Sequence, residues 1–298
     1  MPDPKQDSKR VSFTLNGKAV FAEPGETVLS VAKRHGVRIP TLCHHDAVTP
    51  YGACRLCVVE AIWGKRSKLV TSCIYTPYEN DIIKTDTERV RHTRRIVLEL
   101  LLARCPQVKL LQDLGREYGL ESPRFRVEGA PGDERCILCG LCVRVCDEVV
   151  RAHAIGYAGR GFERVISTPF GEQADECIGC GACVFVCPTE ALHYEDLDGH
   201  RRMRELNTEV PLVACLVCGR PFATGRQIAK VRERLALPEG MAETCPTCRA
   251  AGFQEIMSQS LALAKNARRD MTSSAWSATP GLPRTPALGK QPGREEVS

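Results

Sequence analysis

The chain has 298 residues, a net charge of +5, and 43% apolar but only 5% aromatic side chains. That length argues against one small module, the mild charge against a clustered basic nucleic-acid face, and the lack of any apolar run near ~18 residues against a membrane span. Seventeen cysteines are too many, in too long a chain, for the usual short secreted disulfide scaffold. The opening Met1-Pro2-Asp3-Pro4-Lys5-Gln6-Asp7-Ser8 is polar and shows no apolar h-region, so no signal peptide is expected. A reducing cytoplasm is expected instead, where grouped cysteines usually mean metal.

Residues 1–10 are expected to be a flexible N-terminus. In 11–85, Val11, Phe13 and Leu15 alternate as a strand, Asn16-Gly17 signals a hairpin, and Lys18 to Ala22 is the return strand. Thr27 to His35 reads as a helix with Val28, Leu29 and Ala32 on one face and Gly36 at its stop. Cys43, Cys54, Cys57 and Cys73 follow with spacing C-x10-C-x2-C-x15-C. The plant-type [2Fe–2S] pattern has a shorter first gap and is otherwise the same. Hairpin, helix and cysteine loop together predict a β-grasp [2Fe–2S] ferredoxin domain. His44 and His45 are expected to be exposed loop histidines, since four cysteines already complete the site.

Thr87 to Ala103 reads as a helix with Val90, Val97 and Leu101 on one stripe. Cys105 stands alone after it. Within 126–200 lie two runs of C-x2-C-x2-C-x3-C: Cys136, Cys139, Cys142, Cys146 and Cys177, Cys180, Cys183, Cys187. Each cysteine recurs 41 residues later, and Gly140 recurs as Gly181. This is the bacterial two-cluster ferredoxin run, whose fourth cysteine ligates the other cluster. One [4Fe–4S] is therefore assigned to Cys136, Cys139, Cys142 and Cys187, the other to Cys146, Cys177, Cys180 and Cys183. The glycines are expected to let the backbone wrap each cluster without a Cβ clash. Pro188 follows Cys187 as the run expects, but Asp147 follows Cys146.

In 205–255, Cys215-Leu216-Val217-Cys218 and Cys245-Pro246-Thr247-Cys248 form two CxxC knuckles. Arg226 to Leu235 between them reads as a helix with Ile228, Val231 and Leu235 on one face. A zinc-ribbon or rubredoxin-like module is expected, with zinc first, a rubredoxin-type iron second and a further [4Fe–4S] third. In 256–298, a helix over 252–270 would run into a disordered tail from about Thr272, rich in Pro, Ser and Gly. The overall expectation is α+β: β-grasp domain, helical linker, two-cluster ferredoxin domain, then the four-cysteine knuckle module.

The stretch from Arg135 through Cys146 to Val149, with Ala158-Gly159-Arg160-Gly161-Phe162 before the second run, resembles one family. It is similar to the iron–sulfur subunit on the diaphorase side of NAD(P)-linked hydrogenases. The same arrangement opens the large iron–sulfur subunit of complex I, the iron-only hydrogenases and some NAD-linked formate dehydrogenases. The resemblance covers roughly Val11 to Asp198 and implies electron relay between a flavin subunit that handles NAD(P)H and a catalytic metal subunit. The family also carries a middle cluster held by one histidine and three cysteines. Here Cys105-Pro106 stands where the histidine would be, and Leu111-Gln112 follows within a few residues. The loop that should hold three cysteines contains none, so 86–125 is read as a helical remnant without that cluster and Cys105 as a partly buried free thiol.

The expected cofactors are one [2Fe–2S], two [4Fe–4S] and one zinc or rubredoxin-type iron. Oxidised four-thiolate clusters carry roughly −2 each, so three of them take +5 to about −1. Arg135, Arg144, Arg160 and Arg164 lie near ligands in sequence, where positive charge would raise cluster potentials. No dinucleotide G-x-G-x-x-G in a strand–helix context and no P-loop is present. The cysteines are ligands, with no catalytic residue assigned. The partners implied are a flavin-containing NAD(P)H-oxidising subunit and hydrogenase catalytic subunits, with no nucleic acid and no direct membrane insertion. Rival readings are the same wiring in a formate dehydrogenase or a complex I-like oxidoreductase, a free-standing redox sensor or cluster carrier, and a zinc-knuckle module binding nucleic acid.

Overall fold

The computed structural model describes residues 10–125, 134–252 and 254. The chain forms two compact units, Met1–Glu243 and Thr244–Ser298. The expected loose N-terminus (all but its last residue), nearly all of the 252–270 helix and the expected disordered tail lie outside the described residues. Among the described residues no helix is long and apolar enough to cross a membrane.

The first unit opens with β1 (Val11–Leu15) and β2 (Lys18–Ala22), paired antiparallel across the Asn16-Gly17 turn. Phe13, Leu15, Val20 and Ala22 point inward as the alternation requires. Thr27 caps α1 (Val28–Arg34), its hydroxyl accepting from the Ser30 amide at 3.3 Å. The helix buries Val28, Leu29, Val31 and Ala32. Then come β3 (Val58–Trp63), β4 (Arg66–Thr71) and β5 (Ile82–Lys84). The five strands form one sheet in the order β2-β1-β5-β3-β4, with β1 and β5 parallel and the other pairs antiparallel. One core joins this sheet to α1 and contains Cys57 and Cys73.

Next follow α2 (Glu88–Arg104), capped by the Thr87 hydroxyl, and α3 (Lys109–Glu117). The buried stripe of α2 is Val90, Arg94, Leu98 and Leu102, with Glu99 beside it. Val97 and Leu101, expected on that stripe, sit at its edge, half-buried against the core. The stripe is rotated because it faces two neighbours: Arg94 reaches the Val58 carbonyl at 2.8 Å, and Glu99 takes Arg124. The Arg124 guanidinium holds the Glu99 carboxyl down to about 2.

Between α2 and α3, Cys105 is fully buried, not partly. It packs in a second core with Leu98, Leu102, Val108, Leu111 and Leu114. That core also holds Cys43, Cys54, Cys139 and Val145. The shortened loop has closed into apolar packing. Burial pushes the Cys105 thiol up to about 12, so it stays a neutral thiol near pH 7. Cys105→Ala is expected to leave the iron content of purified protein unchanged and to cost about 1 kcal/mol in denaturant unfolding, the loss of one small buried group. Loss of about four irons would mean the middle site is built after all.

The remainder of the unit comprises α4 (Leu141–Arg144), a π-helical turn (Val145–Val150), β6 (Gly156–Ala158), β7 (Val165–Ser167) and α5 (Ala182–Phe185). After them come β8 (Glu195–Leu197), β9 (His200–Met203), β10 (Thr208–Ala214), β11 (Pro221–Thr224) and α6 (Gly225–Arg234). Asp147 can continue the helical turn after Cys146 because it keeps the amide that Pro188 lacks. Strands β8 to β11 form one sheet in the order β11-β10-β9-β8. The expected division at 200–205 therefore falls inside a sheet, because β9 pairs with β10. On α6, Ile228 is buried but Leu235, expected on the same face, is 55% exposed. It lies past the last helical turn in extended backbone.

In the second unit, the described residues place Cys245 and Cys248 at a helical turn. The Arg249 amide donates to the Cys245 carbonyl at 3.0 Å.

Candidate metal centres

The first tetrad is built by the loop between α1 and β3 and by the turn after β4. Cys43, Cys57 and Cys73 are each 1% exposed, and Cys54 is 8% exposed. The loop folds back so that the Cys54 amide donates to Cys43 Sγ at 3.4 Å. The Ser72 hydroxyl donates to the Cys57 carbonyl at 2.7 Å. A hydrogen bond from the Cys54 thiol brings Cys43 down to about 6, and one from Cys73 brings Cys57 down to about 7, while both donor thiols are pushed up. Such thiol pairs are a donor set that a cation would convert to four thiolates. His45 is exposed as expected, whereas His44 is largely enclosed beside Asp46, its side chain 12% exposed.

The two ferredoxin runs each make a loop that turns twice through left-handed backbone. In the first, Leu138 has φ +53° and Gly140 +73°; in the second, Gly179 has +64° and Gly181 +74°. These turns aim amides at sulfur: Leu138 at Cys136, Leu141 at Cys139 and Ala182 at Cys180. Ala154 donates to Cys146 at 3.4 Å, and Ala191 to Cys187 at 3.2 Å. A cavity of about 200 Å³ is lined by Cys136, Cys139, Cys142 and Cys187. A second, of about 20 Å³, is lined by Cys146, Cys177, Cys180 and Cys183. Each cavity takes three thiols from one run and the last from the other. Burial pushes the Cys139 and Cys183 thiols up to about 12. Thiolates there need a cation, and amides facing sulfur stabilise metal-bound thiolate, so the donor sets fit iron–sulfur clusters.

The glycines also make room for a neighbouring ring. A Cβ on Gly140 would meet Tyr157 Oη at 2.2 Å, and one on Gly181 would meet Tyr194 Cε1 at 2.9 Å. Each tyrosine carries an arginine on its face: Arg164 at 3.8 Å from the Tyr157 ring centre, Arg201 at 4.3 Å from that of Tyr194. The duplication thus includes a tyrosine–arginine pair on each loop. Tyr157 and Tyr194 are 37 residues apart while the cysteines are 41 apart, so spacing alone hides the correspondence.

Of the arginines singled out by sequence, Arg135 donates to the Thr189 carbonyl at 3.1 Å. Arg144 donates to Cys43 O at 2.8 Å and also reaches the Thr49 carbonyl. Glu148, one turn on, accepts from the Thr49 amide and hydroxyl. The helix of the first ferredoxin run therefore grips the loop of the first tetrad. Arg104, Arg201 and Arg226 were missed, because each is remote in sequence from the loop it touches.

The knuckle cysteines fall in separate units. Cys215 and Cys218 flank the turn between β10 and β11, where the Gly219 amide donates to the Cys215 carbonyl at 2.9 Å. In the other unit, the Cys248 amide donates to Cys245 Sγ at 3.5 Å.

Residues 8–88 match a 2Fe-2S iron–sulfur cluster binding domain, and residues 135–191 match a 4Fe-4S dicluster domain. The chain is 34% identical over 180 residues to an NADH-quinone oxidoreductase subunit from Rhizobium meliloti, covering 53% of this chain and 21% of that one. It is 33% identical over 181 residues to the mitochondrial NADH-ubiquinone oxidoreductase 78 kDa subunit of Candida albicans, covering 53% and 25%. The chain thus spans about a quarter or less of the length of these relatives. Among solved structures, a chain of an NAD+-reducing [NiFe]-hydrogenase in the H2-reduced state is 30% identical, with a TM-score of 0.47, covering 53% of this chain and 74% of that one.

Proposed function

We propose that this chain, an iron–sulfur protein related to the large iron–sulfur subunits of NADH-linked oxidoreductases and carrying their [2Fe–2S] and dicluster [4Fe–4S] domains, relays electrons between a flavin subunit that oxidises NAD(P)H and a catalytic metal subunit. A hydrogenase is the favoured terminus, on the motifs at 135–149 and 158–162; a formate dehydrogenase or complex I-like assembly would use the same wiring. The observation that carries the reading is the pair of cavities, each lined by three cysteines of one run and one of the other. It supports [4Fe–4S] ligation by Cys136, Cys139, Cys142, Cys187 and by Cys146, Cys177, Cys180, Cys183. The mixed five-stranded sheet with α1 supports a β-grasp domain whose Cys43, Cys54, Cys57 and Cys73 hold the [2Fe–2S].

When bound, the clusters supply one-electron carriers. The chain's own residues enclose them, orient amides toward sulfur and keep the first tetrad beside the dicluster loops through one shared core. That core occupies the shortened loop between α2 and α3, which supports the absence of a middle cluster. On their sequence spacing we assign zinc, with a structural role, to the two CxxC knuckles Cys215/Cys218 and Cys245/Cys248. We place the protein in the cytoplasm, where cysteines grouped at this spacing bind metal.

Metal and acid-labile sulfide analysis of anaerobically purified protein tests the reading. About 10 iron, 10 sulfide and one zinc per chain are expected. About 14 iron without zinc would make the knuckles another redox station. Mostly zinc with little iron would overturn the electron-transfer reading.

A further inference from the structure

All three loops assigned to clusters share one contact. The carbonyl oxygen of the first ligand cysteine accepts from an arginine outside that loop. Arg144 Nη2 reaches Cys43 O at 2.8 Å, Arg104 Nε reaches Cys136 O at 3.0 Å, and Arg226 Nη1 reaches Cys177 O at 3.1 Å. The arginines come from α4, the last turn of α2 and the first turn of α6. Arg104 precedes the first ferredoxin run and Arg226 follows the second, so the duplication that made the runs did not supply the contact. It arose separately on each loop.

Arg226 does more than cap one carbonyl. Its Nη1 also reaches the Asp175 carbonyl at 2.9 Å and that of Ala174 at 3.4 Å. Beside it, the Thr224 hydroxyl donates to the Ile178 carbonyl, and Arg201 Nη1 donates to the Gly179 carbonyl at 2.9 Å. Three consecutive carbonyls of the second loop are thus held by the segment that follows the dicluster run. Arg104 ties the first loop to the connection between β6 and β7, its Nη1 and Nη2 reaching the Phe162 and Arg164 carbonyls at 3.5 and 3.4 Å.

Bonds to carbonyls leave the guanidinium charge in place. Arg226 has Asp175 at 3.6 Å, but that carboxylate is 96% exposed. Arg104 pairs at 3.8 Å with the partly buried Glu134, which also accepts the Cys136 amide at 2.7 Å, so part of its charge is offset there. A reduced cluster carries one more negative charge than an oxidised one. A fixed cation behind the first ligand therefore favours the reduced state and raises the potential. In a trans peptide the carbonyl and the next amide point opposite ways. Each bond thus also turns the amide of Ile137 or Ile178 away from the arginine, adding an oriented dipole.

We propose that Arg104 and Arg226 are positioning residues that each set the potential of one [4Fe–4S] cluster: Arg104 the one held by Cys136, Cys139, Cys142 and Cys187, Arg226 the one held by Cys146, Cys177, Cys180 and Cys183. This rests on the ligand sets proposed above. The test compares Arg104→Gln, Arg226→Gln and the two lysine variants in the full chain, by EPR-monitored redox titration with iron and sulfide analysis. Arg226→Gln is expected to lower one [4Fe–4S] potential by about 59 mV, a tenfold change for a one-electron couple. The other [4Fe–4S] and the [2Fe–2S] should stay in place. Arg104→Gln should move the other [4Fe–4S] alone, and lysine should keep each potential near that of the unaltered protein. Unmoved potentials, shifts common to all clusters, or lysine variants shifting as far as glutamine would each overturn the proposal. A glutamine variant that sheds iron would show that the arginine holds the loop rather than sets the potential, and would overturn the proposal at that cluster. Little iron in the unaltered protein would instead count against the electron-relay reading.

Discussion

Cys187→Ala is expected to remove the cluster held by Cys136, Cys139 and Cys142 and to spare the one held by its own run. Iron should fall from about 10 to about 6 per chain, and electron transfer from NAD(P)H to the terminal acceptor should stop. Cys187 lines the same cavity as the first run's three thiols, while Cys146 lines the other. No further thiol lines that cavity: its other potential donors are the Glu134 and Glu205 carboxylates, poorer ligands for a cluster than thiolate, and the Thr189 hydroxyl, 3.7 Å from the Cys187 sulfur. Cys146→Ala should give the reciprocal loss. EPR distinguishes the two variants if their remaining [4Fe–4S] signals differ. Identical remaining signals, or loss of both clusters in each, would defeat the crossed assignment.

Gly179→Ala is expected to cost about 3 kcal/mol and to strip the cluster held by Cys177, Cys180 and Cys183. The left-handed backbone, φ +64°, costs roughly 1–2 kcal/mol for an L side chain. Overpacking adds roughly 1–3 kcal/mol. The new methyl would meet Val210 Cγ2 at 2.5 Å and Thr224 Cγ2 at 2.8 Å. Neither can yield: Val210 and Thr224 are buried, and the Thr224 hydroxyl both holds the Ile178 carbonyl and caps α6 through the Gln227 amide. Gly17→Ala is the control, since its φ is +83° with nothing within 4 Å. It should cost only the backbone share, about 1 kcal/mol. Denaturant unfolding and iron content measure both. Equal costs at the two positions would mean that the close approach of β10 and β11 to the loop carries no weight.

The contrast between these two positions shows where sequence reading stops. Gly179 and Gly17 are both glycines in turns, and nothing local tells that one lies under two strands far along the chain. The same limit hid Arg226, Arg201 and Arg104, whose partners are distant carbonyls. It also hid the tyrosine pair, because loop lengths differ between the two halves of the duplication.

By itself the sequence determined the cysteine sets, their grouping into loops, the opening hairpin and helix, and the loss of the middle ligands. Ligand spacing is a property of a few consecutive residues: three thiols from one tight turn reach one cavity whatever surrounds it. Alternation and capping are equally local. Only the tertiary structure decided that β8 to β11 are one sheet, that Cys105 lies in a core shared by two of the cysteine loops, and which arginines stand behind which cysteines. Those depend on which surfaces bury against one another. A backbone carbonyl looks the same at every residue until packing brings a particular side chain to it.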